Sequence, residues 1–151
     1  MQAVDLANIP TGIELVCALA EIEVDALDAN AKLARIVAWE RVSAWAAAQQ
    51  NAAIVEYVGA TPHVQRVQVD GRSLQLADVS RSELACALRW SENTAGARIE
   101  LARGLAREVP EAAAAMAAGS ISILQARAIV EGSQRLVAPI DQALMRTRCG
   151  G

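Results

Sequence analysis

An all-α fold is predicted for this chain: a long N-terminal helical hairpin, then a small bundle containing a helix-turn-helix, with a short β-hairpin in the connector between them. Three observations predict it. Of 151 residues, 33 are Ala and four are aromatic (Trp39, Trp45, Tyr57, Trp90), with no Phe. Ala leads the helix scale and is depleted from strands, so small side chains must fill most of the interior between close-packed helices. Apolar residues recur at helical spacing along most of the chain, and that period vanishes between Gly59 and Val79.

Taken in order, the helix starts are marked by capping boxes, in which a Ser or Thr oxygen accepts an orphaned backbone N–H and a Glu or Gln three residues on bonds back. Thr11 with Glu14, Ser80 with Glu83 and Ser122 with Gln125 have this spacing. The first helix is expected over 13–27, with Leu15, Val16, Leu19, Ile22 and Leu27 inward and Glu14, Glu21, Glu23 and Asp25 around the other side. Those carboxylates diverge around the helix and read as a solvated face, not a site. Asp28 and Asn30 favour a break, since both prefer caps to helix interiors. A second helix is expected over 31–58, with Leu33, Ile36, Val37, Ala44, Ala47, Ala48, Ile54, Val55 and Val58 as its apolar stripe. That is more than twice the average helix length, so it calls for a partner along its extent, either the first helix or a second subunit. Trp39 and Trp45 read as packing anchors in the fold or a dimer interface, with a ligand role as the other reading.

From Val67 to Leu76 apolar and polar residues alternate about Asp70-Gly71, the signature of a β-hairpin. Such a hairpin is marginal alone and equally reads as a mobile arm. His63, beside Pro62, reads as a surface histidine. The remainder is a set of helices at 82–88, 91–108, 110–118, 122–135 and 140–146, with Gly119 ending one in the left-handed region and Pro139 restarting the last. No helix interior is expected to contain Pro.

Composition narrows function. With 54% apolar and 21% charged residues the chain is neither disordered nor collagenous. The net charge of −3 divides into −5 over residues 1–79 and +2 over 80–151. The acidic balance argues against non-specific coating of nucleic acid, while the C-terminal arginines leave a face that suits phosphates. Cys17, Cys86 and Cys149 are widely separated, and there is one His. No disulfide framework or closed zinc site is expected. Cys17 and Cys86 read as small buried hydrophobes, and Cys149 as an exposed thiol. No secretory signal and no stretch that suits a bilayer is legible, so a cytoplasmic protein without a membrane partner is expected. Phosphate loops, nucleophile elbows, zinc-protease and calcium motifs are absent, so neither catalysis nor a cofactor or metal is expected.

The segment from Ser82 to Ile99 has the grammar of a helix-turn-helix. Ala85 is small where the second helix must cross, Leu88 closes the first helix, and Ser91 caps the second. The second helix then carries Asn93, Thr94 and Arg98, which suit base edges and phosphates, with Arg89, Arg103 and Arg107 as flanking phosphate contacts. Glu92 and Glu100 lower the local potential for DNA, and Arg89 or Trp90 stands where a turn Gly is common. A plain helical hairpin with a solvated Arg face is the competing reading.

The runs 84–102, 109–112 and 116–131 resemble the domain of unknown function 222, also called the 13E12-repeat family. The resemblance implies an actinobacterial protein of the kind found N-terminal to an HNH endonuclease module. More loosely, Gly119, Ser122, Ala126, Arg127 and Ala128 are similar to the helix-turn-helix region of ParB-type partition proteins, although Gln125 stands where those proteins usually carry His. An HNH centre needs two His, so the resemblance lends no catalysis. The expected function is a non-catalytic DNA-binding or DNA-positioning module, organised as a hairpin (1–58), a connector (59–79) and a helix-turn-helix bundle (80–148), and dimeric through residues 13–58. The alternative is a helical protein-interaction or oligomerisation module that never meets nucleic acid.

Overall fold

The computed structural model describes residues 5–23, 27–62, 66–75 and 79–148, with most side chains of the two strands and those of 137–148 left undescribed. The elements are α1 (Ile13–Ala20), α2 (Ala29–Val58), β1 (Arg66–Val69), β2 (Arg72–Gln75), α3 (Val79–Leu88), α4 (Glu92–Arg107), α5 (Pro110–Ala117) and α6 (Ile123–Arg148). The fold is essentially all-α, and the one sheet among the described residues is the antiparallel hairpin β1–β2, with Val69 paired to Arg72. Asp70 and Gly71 take φ of 49° and 74°. That is the hand a two-residue hairpin turn needs, which is why Asp-Gly occurs there. His63, Asp25 and Cys149 lie outside the described residues.

α2 is the axis of the molecule, about 45 Å long at the usual rise per residue. The Asp28 carboxylate accepts from the Ala31 amide at 2.8 Å to start it, and Gly59 ends it. Three apolar clusters lie along it. Near its start, Ala38 and Val42 pack with Leu6, Leu15 and Leu19. In the middle, Ala44 packs with Leu101, Leu105, Ala112, Met116, Ala126 and Val130. At its end, Ile54 and Val58 pack with Ile99 and Ala102. The sequence division at residue 58 is therefore not a division in space, since α2 supplies a wall to both halves.

Several expectations change. α1 stops at Ala20, and its start is Gly12 with no side-chain cap. Thr11 is spent elsewhere: its hydroxyl donates to the Ala118 carbonyl and accepts from Arg41, both at 2.9 Å. α3 begins at Val79, so Ser80 lies within the helix, and Glu83 accepts from the Tyr57 hydroxyl instead of closing a capping box. α6 is continuous past Pro139, which withholds the amide that the Arg135 carbonyl would otherwise receive. Leu33, Ile36 and Val37 are exposed, because Ala38 and Val42 on the opposite side face α1. Cys17 and Cys86 are exposed free thiols. The Ser122–Gln125 box forms as expected, at 2.8 and 3.3 Å. So does the left-handed Gly119, at φ 73°.

Candidate nucleic-acid interface

The α3–turn–α4 unit is present. Ala85 is buried, and the chain turns at Arg89, whose φ of 53° is left-handed without the help of glycine. The Trp90 amide bonds back to the Ala85 carbonyl at 2.9 Å, closing the end of α3. The Ser91 hydroxyl caps α4 by accepting from the Thr94 amide at 3.1 Å. Arg81 crosses between the helices, its Nε 2.8 Å from the Glu92 carbonyl and 3.3 Å from the Glu92 carboxylate.

The predicted contact residues separate into two groups. Arg89, Asn93, Thr94 and Arg107 are exposed, and Asn93 and Thr94 sit in the first turn of α4. Arg98 is half-buried. Its guanidinium lies over the Trp90 ring, 5.5 Å from the centroid, and Nη2 donates to Gln50 Oε1 on α2. Among the described residues no carboxylate pairs with it. Burial, and secondarily the nearby Arg127 charge, lowers the Arg98 guanidinium from its ordinary value, though an arginine stays protonated.

Arg103 does not belong to the interface. It is 6% exposed, and its Nε and Nη2 donate to the carbonyls of Gly59 and Val58 at 3.0 and 3.3 Å, with Glu100 at 3.4 Å. A cation at the carbonyl end of α2 satisfies acceptors that the helix leaves unpaired and opposes the helix dipole. Its task is to close α2.

The outward face of α4 is cut short by α6. Asn93, Ala97 and Glu100 face outward, but one turn further on a Cβ at Gly104 would lie 2.5 Å from Val130 Cγ1 of α6. α6 thus covers this stripe of α4 from Gly104 onward, while Asn93, Ala97 and Glu100 stay open to solvent. Sequence reading singled out Arg127 for its ParB-type likeness and not as a contact; it stands near Arg98 and pairs with Glu131 at 3.0 Å. Trp90 was missed as the floor beneath Arg98. An aromatic residue in the turn followed eight positions later by Arg was the available signal.

Residues 40–148 match the family described as domain of unknown function DUF222. The chain belongs to the DUF222 family. No curated protein and no solved structure matches it. In this DUF222 chain the matched span includes Trp90, Arg98, Arg103 and Arg127, while α1 and the start of α2 precede it. Among its described residues no cluster of His, Cys, Asp and Glu is placed to hold a metal ion, and no helix is long and apolar enough to cross a membrane.

Proposed function

We propose that this chain is a non-catalytic DNA-binding or DNA-positioning module that meets the phosphate backbone with the open end of α4. The observation that carries it is Arg98, a partly desolvated cation on an aromatic floor, beside Arg127 and without a carboxylate partner among the described residues. Arg98, partly dried, is repelled by the Arg127 cation beside it, which is itself exposed and paired with Glu131. An anion arriving between them removes that repulsion, which a phosphate diester does without needing a deep pocket. Asn93 and Thr94, exposed in the first turn of the same helix, are accessible to base edges or a second phosphate. Arg89 on the turn adds a flanking charge. The likeness to domains that accompany HNH nucleases supports a positioning role with the chemistry done elsewhere.

The test is fluorescence anisotropy with duplex DNA at two salt concentrations. Saturable binding that weakens with salt is expected. Arg98→Gln lowers the affinity and reduces the salt slope by about one per lost phosphate contact. Binding that is absent, or indifferent to salt, refutes the reading. One observation favours the interaction-module alternative, the exposed apolar strip on α2, and it leads to a separate inference.

A further inference from the structure

We propose that the outward face of α2 between Ala29 and Ser43 pairs with the same face of a second copy of this chain, antiparallel and centred on Ile36. Leu33, Ile36 and Val37 are 60%, 65% and 54% exposed. Their i, i+3, i+4 spacing gathers them on one side of the helix, opposite Ala38 and Val42, which α1 covers. An apolar strip left outside on a packed helix marks a contact surface.

The charges beside the strip select its occupant. Lys32 and Glu40, both exposed, stand four residues before and after Ile36, one helical turn to either side. An antiparallel pair about Ile36 brings Lys32 of each copy level with Glu40 of the other. Leu33, Ile36 and Val37 of both copies then form one apolar centre, with an ion pair at each end. A parallel pair sets Lys32 against Lys32 and Glu40 against Glu40, which like-charge repulsion disfavours. A strongly acidic or basic partner helix leaves one of the two charges opposed. The strip is self-complementary under a two-fold axis, as an isologous interface requires. Leu33, Ile36 and Val37 precede residue 40, where the family match begins, and Glu40 is its first residue. The dimer gives the expected self-association through residues 13–58 a register, and it rests on no contact with nucleic acid.

Sedimentation velocity over a range of protein concentrations, without DNA, tests it. The mass is expected to rise with concentration from 15.9 kDa towards twice that value and no further. Ile36→Asp, on an exposed position and so compatible with a folded monomer by circular dichroism, weakens association about tenfold or more. Lys32→Glu and Glu40→Lys each weaken it, and the two together restore it, because the reversed charges meet again in the same register. A chain that stays monomeric throughout overturns the proposal. So does a dimer indifferent to Ile36→Asp, or one that the double reversal fails to restore. With no DNA in the cell, this outcome and the outcome of the anisotropy titration are independent.

Discussion

Arg103 and Arg98 lie five residues apart on one helix and do different work, because of what surrounds each guanidinium. Arg103 is closed off and bonded to the carbonyl of Val58, the last residue of α2, and to that of Gly59, which caps it. Replacing it with Ala strands those acceptors and is expected to lower unfolding free energy by about 2 kcal/mol, the range for hydrogen bonds to a charged group. Arg103→Lys recovers only part of this, since an ammonium lacks the planar fork. Urea denaturation of the two variants measures both, and an unchanged midpoint for Arg103→Ala refutes the capping role. At Arg89 the left-handed φ of 53° strains a residue with a Cβ. Arg89→Gly is expected to stabilise the fold by about 1 kcal/mol while removing a candidate phosphate contact, so stability and DNA affinity move in opposite directions. Tyr57 is the only tyrosine in the chain. Its hydrogen bond to Glu83 raises the phenol above its ordinary value of 10.0, with slight desolvation and the Glu83 charge acting the same way. The protonated form is favoured in the folded state, so this tie between α2 and α3 is complete below pH 10 and is lost as pH rises through the elevated value. Tyrosinate absorbance is expected to titrate above 10 in the native protein and closer to 10 in Glu83→Gln.

Between elements, closeness of approach decides which residues are tolerated. Gly104 lets α6 lie against α4, and a Cβ there would stand 2.5 Å from Val130 Cγ1. Gly104→Ala is expected to destabilise by about 1–3 kcal/mol, as overpacking does, and Val130→Ala in the same molecule should return part of the loss. Additive effects in a double-mutant cycle exclude the contact. Gly119 is constrained twice over, by φ 73° and by Arg41 Cβ 2.9 Å from the place its own Cβ would occupy. Here the helical grammar was legible: the Ser91 and Ser122 caps, the Asp-Gly turn, Pro110 opening α5 and Gly119 closing it follow from local chemistry that few residue types satisfy. Thr11 and Ser80 have the same spacing and were misleading. Thr11 has a tertiary use for its hydroxyl in Arg41 and the Ala118 carbonyl, and Ser80 lies inside a helix that starts earlier. Nothing in four residues of sequence records those competitors.

For the whole molecule, the N-terminal segment that precedes the family match is structural. Leu6, Leu15 and Leu19 bury themselves on Ala38 and Val42, and Arg41 donates to the carbonyls of Leu6 and Ile9 at 2.9 and 2.7 Å. Deleting residues 1–20 is expected to cost about 3 kcal/mol, since it removes the burial of Leu6, Leu15 and Leu19 at about 1.5–3 kcal/mol each, offset in part by the entropy of ordering the segment. A thermal melt with an unshifted midpoint excludes that role. The same packing explains why an acidic half and a basic half of the sequence do not become two separate bodies, since one helix runs through the core of both.

By itself the sequence determined the helical class, most helix ends and the hairpin turn, because propensity, capping and positive φ are settled within a few neighbouring residues. It also placed Asn93 and Thr94 on the first turn of α4. Only the tertiary structure decided which arginine is spent on backbone carbonyls and which has no carboxylate partner among the described residues, how much of α4 remains uncovered, and which side of α2 is left outside. Those outcomes depend on what another helix, distant along the chain, brings against each residue, and periodicity within a helix carries no record of that.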